Sequence, residues 1–224
     1  KRIRDEDIHN PTTGLLCLEN ALGNGTVVTL EEMEELYRVA KEYGIPVHLD
    51  GARLFNAATY LRVEAKEIAQ YADSVTFCIS KGLCSPVGSL LCGSKEFIKK
   101  AGKMRKLLGG GMRQAGVLAA CGIISLEKMV NRLEEDHQNA KYLAKNLNEI
   151  EGFSVDLDKV QFNMVFCEIS IKDFNSKEFV EYLLEKGIKV NDGGSIFRFV
   201  TNKDVNKKDI DFVIDCIREY IYIK

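Results

Sequence analysis

Apolar residues recur at helical spacing along LEEMEELYRVAKEYG, at Leu30, Met33, Leu36, Val39 and Ala40, and this predicts an amphipathic helix. Thr29, with Glu32 three residues on, has the form of a capping box, and Gly44 supplies the stop. Upstream, GLLCLEN (14–20) is short and apolar and reads as a strand. The loop after it carries Asn24-Gly25 as a turn signal. Downstream come IPVHLD (45–50) as a strand, GARLFNAATYL as a turn and short helix, and VEAKEIAQYA as a helix. SVTFCIS and GSLLCGS follow as strands. Apolar strands alternating with crossover helices predict an α/β fold around a mainly parallel sheet.

Residues 94–108 form a basic amphipathic pattern that GGGMRQAG interrupts. A long helical region is expected from about Gln114 to Ile150. Beyond Gly152 the order changes. FSVDLDKVQFNMVFCEIS reads as strands, SKEFVEYLLEKG as a helix, SIFRFVT as a strand and KKDIDFVIDCIREYIY as a final helix. The expected organisation is a larger domain over 1–112, a helical connection over 113–150 and a small α+β C-terminal domain over 151–224.

Composition narrows the function. The net charge is −2, with 31 basic and 33 acidic residues, so the clustered positive charge of a nucleic-acid binder is missing. No apolar run approaches the ~20 residues of a membrane span, and neither nucleic acid nor membrane is expected as a partner. Seven cysteines, mostly in apolar context and without a CxxC pair, read as buried reduced thiols of a cytoplasmic protein. The first residue is Lys1, and the polar start leads directly into a strand. The chain therefore reads as lacking an N-terminal part.

Two residues stand out. Asp50 ends a predicted strand and precedes Gly51; Lys81 follows another and precedes Gly82. Taken singly, Asp50 reads as a turn carboxylate and Lys81 as a solvated loop lysine. Taken together, they put an acid and an amine at the carboxyl ends of two strands, where open α/β sheets bind ligands. That pair suits a cofactor with an aldehyde and a basic ring nitrogen, which is the chemistry of pyridoxal phosphate. An acid beside the ring nitrogen favours its protonated form. The apolar residues around Lys81 are expected to desolvate the amine in part, which would lower its pKa. Arg198 shares a strand face with Ile196 and Val200 by period-two alternation. A guanidinium buried among apolar neighbours needs an anion, either a structural carboxylate or a ligand. Gly109, Gly110 and Gly111 could form a phosphate-holding nest or a plain hinge. No metal site is expected: His48 and Asp50 form an HxD with no further ligand spaced to help. His48 reads as a packed residue, and His9 and His137 as solvated ones.

HLDGARLFNAA, SVTFCISKGLCSPVGS and RKLLGGGMRQAG resemble the low-specificity L-threonine aldolases, β-eliminating lyases among the fold-type-I pyridoxal-phosphate enzymes. The resemblance covers nearly the whole chain. It implies a truncated cofactor-binding major domain plus a small C-terminal domain, in a homo-oligomer, dimer or tetramer. It implies a carbon–carbon lyase that cleaves L-threonine, L-allo-threonine and related β-hydroxy-α-amino acids to glycine and an aldehyde. Position by position, the Schiff-base lysine falls on Lys81 and the pyridinium partner on Asp50. Arg53 matches an arginine beside the ring that binds the substrate carboxylate, and Arg198 matches a second carboxylate ligand. Lys106 and Arg113 match basic residues near the cofactor. Where the family usually carries a histidine that contacts the substrate hydroxyl, this chain reads LENAL, with Leu22 in the place. β-Elimination or transamination on the same scaffold remains an alternative, as does an inert fragment.

Overall fold

The structure, a computed structural model, describes Ile3 and residues 7–223. The chain divides into two compact units: residues up to Ala21 with Val28–Val130, and Leu22–Val27 with Asn131 onward.

The first unit is built on a four-stranded sheet in the order β1 (Leu16–Glu19), β2 (Val47–Gly51), β3 (Ser74–Cys78) and β4 (Ser89–Gly93). The first three strands are parallel, and β4 closes antiparallel on β3. Helix α1 (Leu30–Glu42) connects β1 to β2, as a parallel pair requires. Its capping box forms as the sequence suggests: Thr29 accepts from the Glu32 amide, and Glu32 accepts from the Thr29 amide. Helices α2 (Leu54–Leu61) and α3 (Ala65–Ala69) connect β2 to β3.

Alternation along β2 separates two faces. Val47, Leu49 and Gly51 are buried, His48 is half-buried and Asp50 exposed. The buried face packs on the helical layer: Val47 clusters with Ala40 and Ile45, and Phe77 of β3 meets Phe55 of α2 edge-on with centroids 5.4 Å apart. On the other face the His48 ring bonds the Ser74 hydroxyl through Nδ1 at 2.8 Å. His48 is thus the packed histidine that the strand pattern suggests.

Helix α4 (Lys95–Leu107) is capped by Ser94 and leaves no residue buried. The expected long helix after it is broken into α5 (Gly116–Ile124), a π-helical turn over Ser125–Met129, a 3₁₀ turn over Val130–Arg132, and α6 (Leu133–Asn148). Periodicity over 114–150 could not show this break, because π and 3₁₀ turns preserve a helical sequence pattern while changing the register by a residue.

The second unit pairs an antiparallel sheet, β5 (Phe153–Val155), β6 (Met164–Ile169) and β7 (Ile196–Val200), with α6, α7 (Ser176–Glu185) and α8 (Lys207–Ile223). Phe179, wholly buried, lies within 5.1–6.3 Å of the rings of Tyr220, Phe197, Phe174 and Phe153. Two buried polar side chains of this unit are paired. Arg132 grips the buried Asp136 carboxylate with both terminal nitrogens at 2.7 and 3.1 Å, and Thr201 donates to the Asp136 carbonyl at 2.6 Å.

Two expectations fail here. His137 is 2% exposed, not solvated. It sits beside Asp136 on the inner side of α6, and burial pulls its pKa down to about 4. Only Cys167 and Cys216 of the seven thiols are buried; Cys17, Cys84 and Cys92 are exposed and Cys78 and Cys121 intermediate. Local apolar context could not tell which positions the rest of the chain would cover: Cys17, Cys78 and Cys92 stand on strands of the first sheet and Cys121 on a helix without being buried. None of the thiols is in a disulfide.

Candidate active site

Asp50 sits one residue from the carboxyl end of β2, and Lys81 three residues beyond the end of β3. The two strands are adjacent and parallel, with Asp50 opposite Thr76 and Gly51 opposite Phe77. The acid and the amine therefore rise from the same edge of the sheet, on neighbouring strands. The Asp50 carboxylate accepts the Ala52 amide at 3.0 Å, which turns the chain out of the strand. Gly51 is needed for that turn. A Cβ there would lie 3.0 Å from both the Leu54 Cβ and the Thr76 carbonyl oxygen. Arg53 follows as the N-cap residue of α2, half-buried at the same edge.

Lys81 stands in a tight turn. Its carbonyl accepts the Cys84 amide at 2.9 Å, and the Ser85 amide returns to the Ile79 carbonyl at 2.9 Å. Cys84 takes a left-handed backbone with φ +57° to close it. Lys81 itself is exposed. The expectation that its apolar surroundings desolvate the amine is therefore corrected: Ile79, Leu83 and Ser85 of the turn are buried while the lysine points away from them.

The remaining positions separate. Lys106 and Arg113 are both exposed, one in the last turn of α4 and the other just before α5. The Lys106 side chain crosses Gly111 so closely that a Cβ there would be 2.5 Å from its Cδ. The triple glycine is not a free nest. The Gly109 and Gly110 amides bond back to the Lys106 and Arg105 carbonyls at 3.2 and 2.8 Å, finishing α4 with Gly109 at φ +88°. Arg198 lies in the second unit, on β7. It does share a face with Ile196 and Val200, but that face is exposed, so the guanidinium has no burial to offset. Phe197 and Phe199 occupy the buried face instead.

Sequence reasoning overlooked the immediate neighbours of Asp50. Glu19 and Thr76 stand opposite it on either side. They share its face, since residues directly opposed in a sheet point the same way. No motif marks them, because the register of a parallel pair is not written in either strand alone.

Residues 1–170 match the family model for beta-eliminating lyases. The chain belongs to the beta-eliminating lyase family. Among its relatives, the low specificity L-threonine aldolase of Escherichia coli (strain K12) is 42% identical over 209 residues, covering 93% of this chain and 61% of that protein. Low-specificity L-threonine aldolase 1 of Arabidopsis thaliana is 39% identical over 213 residues, covering 93% of this chain and 60% of the relative. The chain thus spans about 60% of the length of the curated relatives it matches. The solved threonine aldolase of Leishmania major superposes with a TM-score of 0.74 at 18% identity, over 97% of this chain and 64% of that one. The fold of this family member is accordingly that of the fold-type-I pyridoxal-phosphate enzymes, as the motifs imply.

Proposed function

We propose that the protein to which these residues belong is a pyridoxal-phosphate-dependent carbon–carbon lyase. Its substrates would be L-threonine, L-allo-threonine and related β-hydroxy-α-amino acids, cleaved to glycine and an aldehyde. One observation carries the reading: Lys81 and Asp50 stand at the same carboxyl edge of adjacent parallel strands. The donor set fits the cofactor, an exposed primary amine for its aldehyde and an exposed carboxylate for its ring nitrogen.

When bound, pyridoxal phosphate supplies an electron sink for the bond that breaks. The chain's own residues do the rest. Lys81 would hold the cofactor at its aldehyde, through an exposed primary amine. Asp50 would hold a proton at the cofactor's ring nitrogen, since an opposite charge beside it favours the protonated form. Arg53 offers a planar fork to the substrate carboxylate. Arg198 is assigned to the same carboxylate on the strength of the resemblance and its exposed guanidinium. Lys106 and Arg113 are assigned to the neighbourhood of the cofactor on the same basis. Holding the carboxylate would fix how the substrate's Cα–Cβ bond is oriented in the site. Leu22 brings no proton acceptor, so the proton on the substrate hydroxyl must leave to another base.

The protein is further proposed to be a cytosolic homo-oligomer. Free thiols suit a reducing compartment. Exposed Phe97, Ile98, Met104, Leu107, Leu108 and Met112 make an apolar surface that suits a second copy. Among the described residues, no helix is long and apolar enough to cross a membrane.

The test is covalent uptake and cleavage. The wild type should take up pyridoxal phosphate on Lys81, trapped by borohydride, and release glycine and aldehyde from threonine. Lys81→Ala should abolish both. Asp50→Asn should keep the uptake and lower cleavage by about two orders of magnitude or more. Trapping on another lysine, or unaltered cleavage by Lys81→Ala, refutes the assignment. Ammonia with a 2-oxo acid in place of glycine and aldehyde would show elimination or transamination instead.

A further inference from the structure

The Lys81 turn is anchored two residues upstream, at Ile79. Ile79 is 6% exposed. Its amide donates to the Gly88 carbonyl at 3.1 Å, and its carbonyl accepts the Ser85 amide at 2.9 Å. Both backbone groups of this residue thus close the loop that carries Lys81. Its side chain is just as confined. A Cβ on Gly88 would lie 3.3 Å from the Ile79 Cδ1 and 3.4 Å from its Cγ1. A Cβ on Gly122, a buried glycine in the last turn of α5, would lie 2.9 Å from the same Cδ1, so the end of the Ile79 side chain would have to shift.

Glycine is an unfavourable residue inside a helix, so its presence there needs a reason. At Gly122 the reason is the Ile79 methyl: among the described residues, and apart from its chain neighbours and the helix's own backbone, a Cβ would meet no other atom within 4 Å. Ile79 therefore acts as a peg and Gly122 as its notch. Backbone bonds then pass the position of the peg to the turn at residues 81–85.

We propose that Ile79 and Gly122 are positioning residues for Lys81, setting where its amine stands at the sheet edge. This rests on the reading of Lys81 as the cofactor-bearing lysine. Their effect passes through the turn that the Ile79 backbone closes. Restoring an ordinary contact from 2.9 Å moves the methyl by roughly half an ångström, and reacting groups tolerate about that much displacement before rate is lost.

Gly122→Ala tests it, with Ile79→Val as the compensating change, because valine lacks the Cδ1 that collides. Alanine favours the helix itself, so any loosening traces to the collision. Two readouts are taken on the full chain. Amide hydrogen exchange at Ile79, Cys84 and Ser85 should speed up about tenfold in Gly122→Ala and return in the double variant. Borohydride-trapped uptake of pyridoxal phosphate on Lys81, followed by mass spectrometry, should slow by about tenfold and return likewise. Unchanged amide exchange in Gly122→Ala overturns the proposal. So does a double variant that fails to recover, or a loosened turn with an unchanged uptake rate. A wild-type chain that takes up no cofactor on Lys81 overturns the reading of the site, and the positioning role with it. An intact adduct whose rate ignores Gly122 overturns the positioning role alone.

Discussion

His137 makes the second unit acid-sensitive in a calculable way. It is 2% exposed, and burial lowers its pKa from 6.5 to about 4, with Glu134 pulling weakly upward and Lys141 downward. In the unfolded chain the ring takes a proton near its ordinary value. The folded state resists that proton, so stability is full above about pH 6.5 and falls as pH drops toward 4. Linkage over the interval from about pH 7 to about pH 4.5 gives a loss of about 2 kcal/mol attributable to this ring. The neighbouring Asp136 acts in the opposite sense. Burial pushes its carboxyl up against the pull of Arg132, so its share of stability grows as pH falls. Comparing wild type with His137→Gln at both pH values cancels that contribution. The variant should lose about 2 kcal/mol less than the wild type on acidification, a difference of ~1 M in urea midpoint. Far-UV circular dichroism reports the unfolding, and proton NMR reports the ring directly, since the chain has just three histidines. Equal acid losses in the two proteins, or a folded-state His137 that titrates near 6.5, would refute the reasoning.

Two further outcomes are expected for the second unit. Phe179→Ala removes a wholly buried ring from among four aromatic neighbours and should cost about 3–5 kcal/mol, measured by urea unfolding; a loss below about 1 kcal/mol would contradict the packing. Gly25 has φ +96°, and a Cβ there would lie 2.8 Å from the Lys159 carbonyl oxygen. Gly25→Ala should therefore destabilise by about 1–3 kcal/mol, read as a lower thermal midpoint, whereas an unchanged midpoint would show the turn to be free to relax.

Much of the α/β order was legible because period and capping are local. The apolar stripe of α1, its Thr29–Glu32 box and the apolar β2 and β3 each lie within a dozen residues of sequence. The site was legible for a related reason. Asp50 lies near the carboxyl end of one predicted strand and Lys81 just beyond another, and parallel strands end at a shared edge, so sequence placed both at one edge without knowing any distance. The motifs around them also carried the family.

Which side of each element faces water was decided by tertiary structure. The same alternation that put Arg198 with Ile196 and Val200 could not say that their face lies open while Phe197 and Phe199 are buried. The helical spacing of α6 could not tell that His137 turns inward, nor could three glycines announce that two of their amides close α4. The peg at Ile79 and its notch at Gly122 lie 43 positions apart and leave no local mark. Burial and contact depend on what packs from elsewhere in the chain. Periodicity records only how one segment would like to divide its own surface.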